Sequence, residues 1–260
     1  MRILPRLFQF IYCLYAFSLF IIIMIAIFPF VAVSSAFGIQ GGNFIYRMCR
    51  IWAGTWYFLI GIRHIEINEW PNDKNKQYVF VANHISYLDI PSVFLSIRQP
   101  MRILGKYELV NIPVFGWIYR SAVILVDRRS TEKRAKSVRA LKAAIKKGIS
   151  IFIYPEGTFN ETLHPLKEFY NGAFKLAIDT RTPIKPILCI DTQERMHYKS
   201  VFHLTPGKSR VVFLKEIKVD TYKMKDLPLL KQRVFTAMEE GLRQYRKYNT
   251  NENITATKEH

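Results

Sequence analysis

The residues best suited to chemistry are a histidine and an aspartate, His84 and Asp89, with four residues between them. They follow the apolar run 78–82, which predicts a strand, and α/β folds place catalytic groups at such strand ends. An imidazole can take a proton from a hydroxyl, and a carboxylate bonded to its other nitrogen fixes its tautomer. The spacing predicts a general base. An aspartate capping a helix beside a surface histidine is the structural alternative.

Two further segments carry groups that suit an anionic substrate. Glu156, Gly157 and Thr158 follow another short apolar run, 149–154, and the glycine allows close backbone approach and amide contacts to an anion. Arg128 follows the run 123–126, and a guanidinium can hold a phosphate through two hydrogen bonds. The alternatives are an ordinary strand-to-loop turn and a surface ion pair.

Motifs that are characteristic of other reaction classes are absent from the sequence. The chain has neither a Gly-x-Ser-x-Gly nucleophile segment nor a His-Glu-x-x-His metal motif. Its three cysteines, Cys13, Cys49 and Cys189, are far apart and indicate neither a disulfide framework nor a zinc site. We therefore expect no metal, and a catalytic part that faces a reducing compartment.

The elements that must position these groups alternate along the chain. Runs rich in β-branched and aromatic residues predict strands over 65–68, 78–82, 101–105, 123–126, 149–154, 184–190 and 210–217. Helical spacing of apolar residues predicts helices over 131–147 and from 228 to about 245. We expect an α/β fold, a single mixed-sheet domain over residues 63–248 flanked by helices, with a disordered polar tail over 249–260.

The N-terminal part of the chain indicates a membrane anchor. Residues 7–33 contain no charged residue, and this run is longer than the roughly 20 apolar residues needed to cross a bilayer core. A second apolar stretch, residues 51–62, is too short to cross alone. Basic residues flank the long run on both sides, so the distribution of positive charge does not favour one orientation. We therefore predict a hydrophobic helical hairpin over residues 1–62 that enters and leaves on one face, with a single span as the alternative.

The net charge points to an anionic partner. The chain has 38 Lys and Arg against 20 Asp and Glu, which gives a net charge of +18. Nucleic acid and an anionic membrane both fit this excess. The apolar run favours the membrane. Outside this run, the sequence shows no organised set of basic or aromatic residues of the kind that recognises nucleic acid. The basic face of the helix predicted over 131–147 fits lipid head groups or an acidic carrier, although an ordinary solvated face would look the same.

Six segments in order resemble the 1-acylglycerol-3-phosphate O-acyltransferase family, over about residues 78–217. The hydrophobic hairpin is also typical of that family. The matching residues are Asn83-His84 with Asp89; Lys106-x-Glu108-Leu109 with Ile112-Pro113 and Gly116; Val126-Asp127-Arg128; Pro155-Glu156-Gly157-Thr158; Gly172-Ala173-Phe174; and Pro183-Ile184-x-Pro186.

The resemblance implies a reaction and a role for each matched residue. His84 would deprotonate the acceptor hydroxyl and Asp89 would orient the imidazole. The hydroxyl oxygen would then attack an acyl thioester, of coenzyme A or acyl carrier protein, without a cofactor or a covalent acyl-enzyme. The implied product is phosphatidic acid, formed at the cytoplasmic face of a membrane. The residues implied to bind the acceptor head group are Arg128, Glu156, Gly157, Thr158 and Lys106.

One departure from the family pattern affects the acceptor. Phe159 occupies the position at which the family's Pro-Glu-Gly-Thr-Arg run has an arginine, so a guanidinium associated with the acceptor phosphate is missing. An acceptor that needs less phosphate binding, such as a lyso-ornithine or lyso-glycine lipid, is therefore the alternative. A non-catalytic membrane lipid-binding protein is a further alternative, but such a module has no need of the His84–Asp89 pair.

Overall fold

The computed structural model describes residues 3–71, 73–112, 115–126 and 131–256, and its centre is one seven-stranded sheet. The strands are β1 (Ile62–Ile67), β2 (Val79–Ala82), β3 (Met101–Lys106), β4 (Val123–Val126), β5 (Ser150–Ile153), β6 (Ile184–Cys189) and β7 (Gly207–Phe213). Their order is β1-β7-β6-β2-β5-β3-β4. All neighbours are parallel except β6 and β7, so the central strands β2 and β5 end at the same edge.

The mixed-sheet α/β fold predicted from the sequence is confirmed. Each of the seven predicted strands is present, and β4 has the expected bounds. The largest difference is in β7, which begins three residues before the expected start and ends at Phe213 rather than at residue 217. Beyond Phe213 the regular pairing with β6 is interrupted, and Ile217 forms an isolated bridge to Ile184.

Helices cover both faces of the sheet. They are α1 (Ile3–Ser34), α2 (Gly38–Leu59), α3 (Asp89–Ser96), α4 (Phe115–Ala122), α5 (Thr131–Lys146), α6 (Gly172–Thr180), α7 (Thr192–Arg195) and α8 (Leu227–Ala256). Short 3-10 segments lie at Ser35–Phe37, Tyr107–Asn111, Val201–His203 and Met224–Asp226. Helix α8 continues past its expected end near residue 245 and includes residues 249–256 of the predicted tail, because extending an existing helix costs little per residue. Residues 257–260 lie outside the described part.

Helices α1 and α2 form an antiparallel hairpin. Near its open end the Tyr12 hydroxyl donates to the carbonyl oxygen of Ile60 at 2.5 Å, and Trp56 Nε1 donates to that of Ala16 at 2.8 Å. Gly38, with φ of +56°, lies at the connection. By length and composition alone, one helical stretch among the described residues, Leu7–Leu59, is apolar enough to cross a membrane.

The hairpin covers one of the two apolar faces of the sheet. Side chains alternate along β2, so Val79 and Val81 pack with α5, α6 and α8, whereas Phe80 and Ala82 pack with α2, α3 and α4. Because both faces of β2 are buried, its sequence is apolar throughout. The end of the central strand β2 therefore lies between the hairpin on one face of the sheet and α8 on the other.

Candidate active site

Asn83 fixes the backbone at the end of β2. Its side-chain amide donates to the carbonyl oxygen of Cys189 and accepts from the Cys189 amide, each at 2.8 Å. Asn83 is fully buried, so both hydrogen bonds are shielded from water. The next residue, His84, therefore leaves the sheet in a defined direction.

The expected contact between His84 and Asp89 is present. His84 Nδ1 lies 2.9 Å from Asp89 Oδ2, which also accepts from the amides of Ile85 at 2.7 Å and Ser86 at 2.9 Å. Asp89 Oδ1 accepts from the Thr192 hydroxyl at 2.5 Å. Asp89 is fully buried in the first turn of α3, where the helix dipole stabilises a carboxylate.

These contacts determine how the imidazole is protonated. Two backbone N–H groups donate to Asp89 Oδ2, so this oxygen is an acceptor and His84 Nδ1 must carry the proton between them. The other ring nitrogen, Nε2, is then the basic atom of a neutral imidazole. The carboxylate stabilises the imidazolium that forms when Nε2 takes a proton.

Aromatic rings contact the imidazole. The Tyr154 ring stacks on that of His84 with centroids 3.9 Å apart and an interplanar angle of 14°. The Phe159 ring lies 4.3 Å away at 52°, and it also contacts Tyr87 and Tyr198. The stacked ring restricts rotation of the imidazole, while Phe159 provides apolar surface at the position where the family has an arginine.

Glu156 contacts backbone rather than open space. It is fully buried; its Oε1 accepts from the His84 amide at 2.9 Å and its Oε2 from the Lys167 amide at 2.8 Å. Burial raises the pKa of Glu156 from 4.5 to about 7, although the two amides favour its charged form. Both carboxylate oxygens thus help to hold the two site loops together, and a contact of Glu156 with the acceptor head group stays a prediction.

The neighbouring turn residues lie beside the imidazole. Gly157 has φ of +73°, and its amide donates to the carbonyl oxygen of Tyr154 at 3.0 Å, so this amide closes the turn rather than pointing at an anion. Thr158 Oγ1 accepts from Lys167 Nζ at 2.8 Å. Lys167 thus adds a cation that the sequence motifs do not indicate. A contact of Thr158 with the acceptor head group stays a prediction.

Two predicted site residues cannot be placed. Arg128 lies outside the described residues, as does the side chain of Lys106, whose backbone ends β3. Their roles therefore stay predictions. Among the residues that the structure describes, no group of three or more His, Cys, Asp or Glu residues is arranged to hold a metal ion.

A largely apolar cavity of about 600 Å³ lies beside His84, between the hairpin and the sheet. Side chains of α1 and α2 form one wall, and those of α3, β3 and α4 form the others. Examples of its lining are Phe20, Trp52, Phe94, Ile118 and Ala122. An apolar space of this size fits a hydrocarbon chain.

Sequence reasoning missed two residues that organise the dyad. Thr192 contacts Asp89 from 103 positions away, in a segment without a motif. Tyr154 belongs to a predicted strand, and only its position directly before Pro155 could have suggested a place in the site. Neither contact follows from local spacing.

Comparisons with known proteins show similarity to acyltransferases. A family model described as "Acyltransferase" matches residues 63–190. A chloroplastic 1-acyl-sn-glycerol-3-phosphate acyltransferase of Brassica napus is 30% identical over 198 residues, which cover 76% of this chain and 56% of the relative. An acyltransferase of Schizosaccharomyces pombe is 28% identical over 82% of this chain and 81% of the relative. The chain thus spans little more than half the length of some relatives that it matches.

A solved structure extends the similarity to the whole fold. The crystal structure of the 1-acyl-sn-glycerophosphate acyltransferase from Thermotoga maritima superposes with a TM-score of 0.75 and covers 95% of this chain and 98% of its own, at 18% identity. At that identity the likeness concerns the fold alone. Together with the family model and the relatives, it shows that the chain is similar to acyltransferases in sequence over residues 63–190 and in fold over most of its length.

Proposed function

We propose that the protein is a membrane-bound acyltransferase that moves a fatty acyl group from an acyl thioester to the free hydroxyl of 1-acylglycerol-3-phosphate, forming phosphatidic acid. The observation that carries the proposal is the His84–Asp89 contact of 2.9 Å beside an apolar cavity. A base next to a space for a hydrocarbon chain suits acyl transfer between lipids. The names of the similar relatives support the same acceptor.

The proposed reaction needs a single base. His84 Nε2 takes the proton of the acceptor hydroxyl while Asp89 holds Nδ1–H and stabilises the imidazolium. The hydroxyl oxygen bonds to the thioester carbonyl carbon, the carbon–sulfur bond breaks, and the thiolate takes the proton from the imidazolium. An ester and a free thiol result. No enzyme nucleophile takes part, and the apolar surroundings limit competing attack by water.

The binding surfaces agree with a thioester donor and a lipid acceptor. The apolar cavity would take the acyl chain, with its thioester end beside His84. The hairpin would hold the protein in the bilayer, and the excess of positive charge would attract anionic lipids. Coenzyme A and acyl carrier protein, the two proposed donors, are anionic and cytoplasmic, so the proposal has the catalytic part face the cytoplasm.

A second acceptor class follows from Phe159. An aromatic ring 4.3 Å from the imidazole takes the place of a phosphate-binding guanidinium. Losing one charge-assisted contact costs about 1.5–3 kcal/mol unless another cation replaces it. A lyso-ornithine or lyso-glycine lipid, which carries no phosphate, would avoid this cost and is the alternative acceptor.

Purified protein in detergent or vesicles provides the test. We expect labelled acyl-coenzyme A or acyl carrier protein to transfer its acyl group to lysophosphatidic acid, with no product when either substrate is omitted. Competition between lysophosphatidic acid and a lyso-ornithine lipid identifies the preferred acceptor. Release of free fatty acid without ester formation would indicate a hydrolase. Binding of lysolipid with no transfer from either donor would indicate a lipid-binding protein and contradict the proposal.

A further inference from the structure

A second cavity, of about 410 Å³, lies on the α8 side of the sheet, and we name it the polar cavity after the four polar side chains that line it. Its lining residues are Ile190, Gln193, Glu194, His197 and Arg246. Four of these five side chains can form hydrogen bonds, and Arg246 brings a guanidinium from α8. None of them belongs to the six family segments, so neither sequence motif nor resemblance gives this cavity a role.

The polar cavity adjoins the catalytic pair through one short segment. Thr192 binds Asp89, and the next two residues, Gln193 and Glu194, line the polar cavity. Further along the same segment, Met196 lines the apolar cavity and the next residue, His197, lines the polar one. The two cavities are thus neighbours across this segment, with the dyad next to both.

A chain of ring contacts leads from the polar cavity to the imidazole. His197 lies 4.3 Å from the ring of Tyr198, which lies 6.1 Å from that of Phe159. Phe159 in turn lies 4.3 Å from His84. The polar cavity is therefore on the side of the dyad at which the aromatic ring replaces the family's arginine.

Arg246 keeps its charge in these surroundings. Burial lowers the pKa of Arg246, and nearby carboxylates, those of Glu156 and Asp89 among them, counteract the shift. A guanidinium remains protonated at neutral pH in proteins. Other cations already contact two of the acids near it, since Arg210 binds Asp191 at 2.7 Å and Arg195 lies 3.3 Å from Glu194. Arg246 thus lies within a cluster of acidic and basic side chains.

Building on the acyl transfer proposed above, we propose that the polar cavity binds the anionic head group of the acceptor, a phosphate or a carboxylate, and that Arg246 replaces the guanidinium missing at Phe159. A guanidinium can contact either anion through two parallel hydrogen bonds. The acceptor hydroxyl would then lie at His84, between a head group in the polar cavity and an acyl chain in the apolar cavity. The two cavities thus divide the substrates by polarity.

The test compares steady-state constants of variants of the full chain in detergent micelles. Arg246→Gln should raise KM for the acceptor by about 10- to 100-fold, the loss expected for one charge-assisted contact, and leave KM for the thioester donor unchanged. Arg246→Lys should give a smaller rise, since it keeps the charge but not the fork of donors. Arg243→Gln is the matched control, because Arg243 is on the same helix, is exposed and pairs with Glu239 one turn away.

A second variant makes the test specific to the proposed replacement. Phe159→Arg introduced into Arg246→Gln should lower the acceptor KM again, because it returns a guanidinium to the family position. Running every variant with both lysophosphatidic acid and a lyso-ornithine lipid shows which anion the cavity binds, and a rise with either acceptor supports the proposal. If Arg246→Gln does not fold, Arg246→Lys decides. A rise in its KM for the acceptor, with the KM for the donor unchanged, supports the proposal, and an unchanged KM for the acceptor contradicts it.

Several outcomes would overturn the inference. They are an unchanged acceptor KM with both lipids, a rise confined to the thioester donor, and an equal rise in Arg243→Gln. Each is distinguishable from failure of the proposed function, because wild-type protein would still transfer acyl groups and His84→Ala would still lose that activity. A protein that transfers no acyl group at all would instead contradict the proposed function itself.

Discussion

The catalytic corner and the N-terminal hairpin are built in opposite ways. In the corner, Asp89 is fully buried and has four hydrogen-bond partners, and both oxygens of Glu156 are occupied by backbone amides. In α1, large apolar side chains such as Phe8 and Ile22 are 65% and 61% exposed. Apolar surface of that extent is unfavourable in water.

In the proposed acyl transfer, this difference gives the two regions separate roles. Hydrogen bonds depend steeply on distance and angle, so they fix the reacting atoms. Apolar contacts are not directional, so the hairpin can form one wall of a cavity for a flexible chain and also contact lipid. Changes in the corner should therefore affect the rate, and changes in the hairpin should affect location and chain preference.

Among changes that keep the base, the largest effect is expected from Asp89→Asn. The amide would turn an N–H group toward backbone donors and no longer fix the His84 tautomer, so kcat should fall by about 10²- to 10⁴-fold. Initial rates of ester formation measure this. Asp179→Asn is the control, because Asp179 pairs with Lys142 at the surface. A loss below about tenfold in folded Asp89→Asn protein would show that the carboxylate does not orient the base.

A large change in location is expected from charges on the hairpin. Ile22 and Ile25 are 61% and 57% exposed, and a lysine at the centre of a bilayer costs about 2.5–3.5 kcal/mol. The double variant Ile22→Lys, Ile25→Lys should leave the membrane fraction in a flotation assay. Leu163→Lys, on an exposed loop of the catalytic domain, should not. Equal flotation of the wild type, the double variant and Leu163→Lys would show that the exposed face of α1 does not contact lipid.

A smaller effect is expected from filling the apolar cavity. Ala122 is nearly buried and lines this cavity. Each buried methylene of a chain contributes about 0.8 kcal/mol, so Ala122→Leu should shift the preference toward shorter thioesters by about tenfold in relative kcat/KM. Ala135→Leu, on the exposed side of α5, is the control. An unchanged chain-length profile would place the acyl chain elsewhere.

The smallest effect concerns stability and pH. The folded state raises the pKa of Glu156 from 4.5 to about 7, so the folded protein keeps a proton that the unfolded chain has lost between these values. This group's contribution to stability therefore falls as pH rises from 4.5 to about 7. The Tm difference between wild type and Glu156→Gln should vary with pH in that window, and Glu161→Gln, at an exposed glutamate, is the control. A flat difference for Glu156→Gln would contradict the raised pKa.

The sequence predicts the elements well and their long-range contacts poorly. The seven strands are short apolar runs with clear boundaries, and β2 is apolar throughout because both of its faces are buried. The His84–Asp89 contact is also local, because it forms within one turn after β2. Such features depend on neighbouring residues, which a single sequence displays directly.

The rest of the site depends on residues that are distant in the chain. Thr192 reaches Asp89 across 103 positions, and Arg246 lines a cavity with residues about 50 positions earlier. No periodicity connects such residues. Glu156 shows a different limit: its type suggested a substrate contact, but only the fold reveals that it is fully buried and bonded to backbone.

The most direct test of the central claim is the rate at which His84→Ala protein forms phosphatidic acid from lysophosphatidic acid and an acyl thioester. The account predicts a fall of about 10³-fold or more in kcat, with the membrane fraction and the Tm unchanged, because the variant lacks the base but keeps the hairpin and the sheet. A folded, membrane-bound His84→Ala protein that transfers acyl groups at the wild-type rate would contradict it.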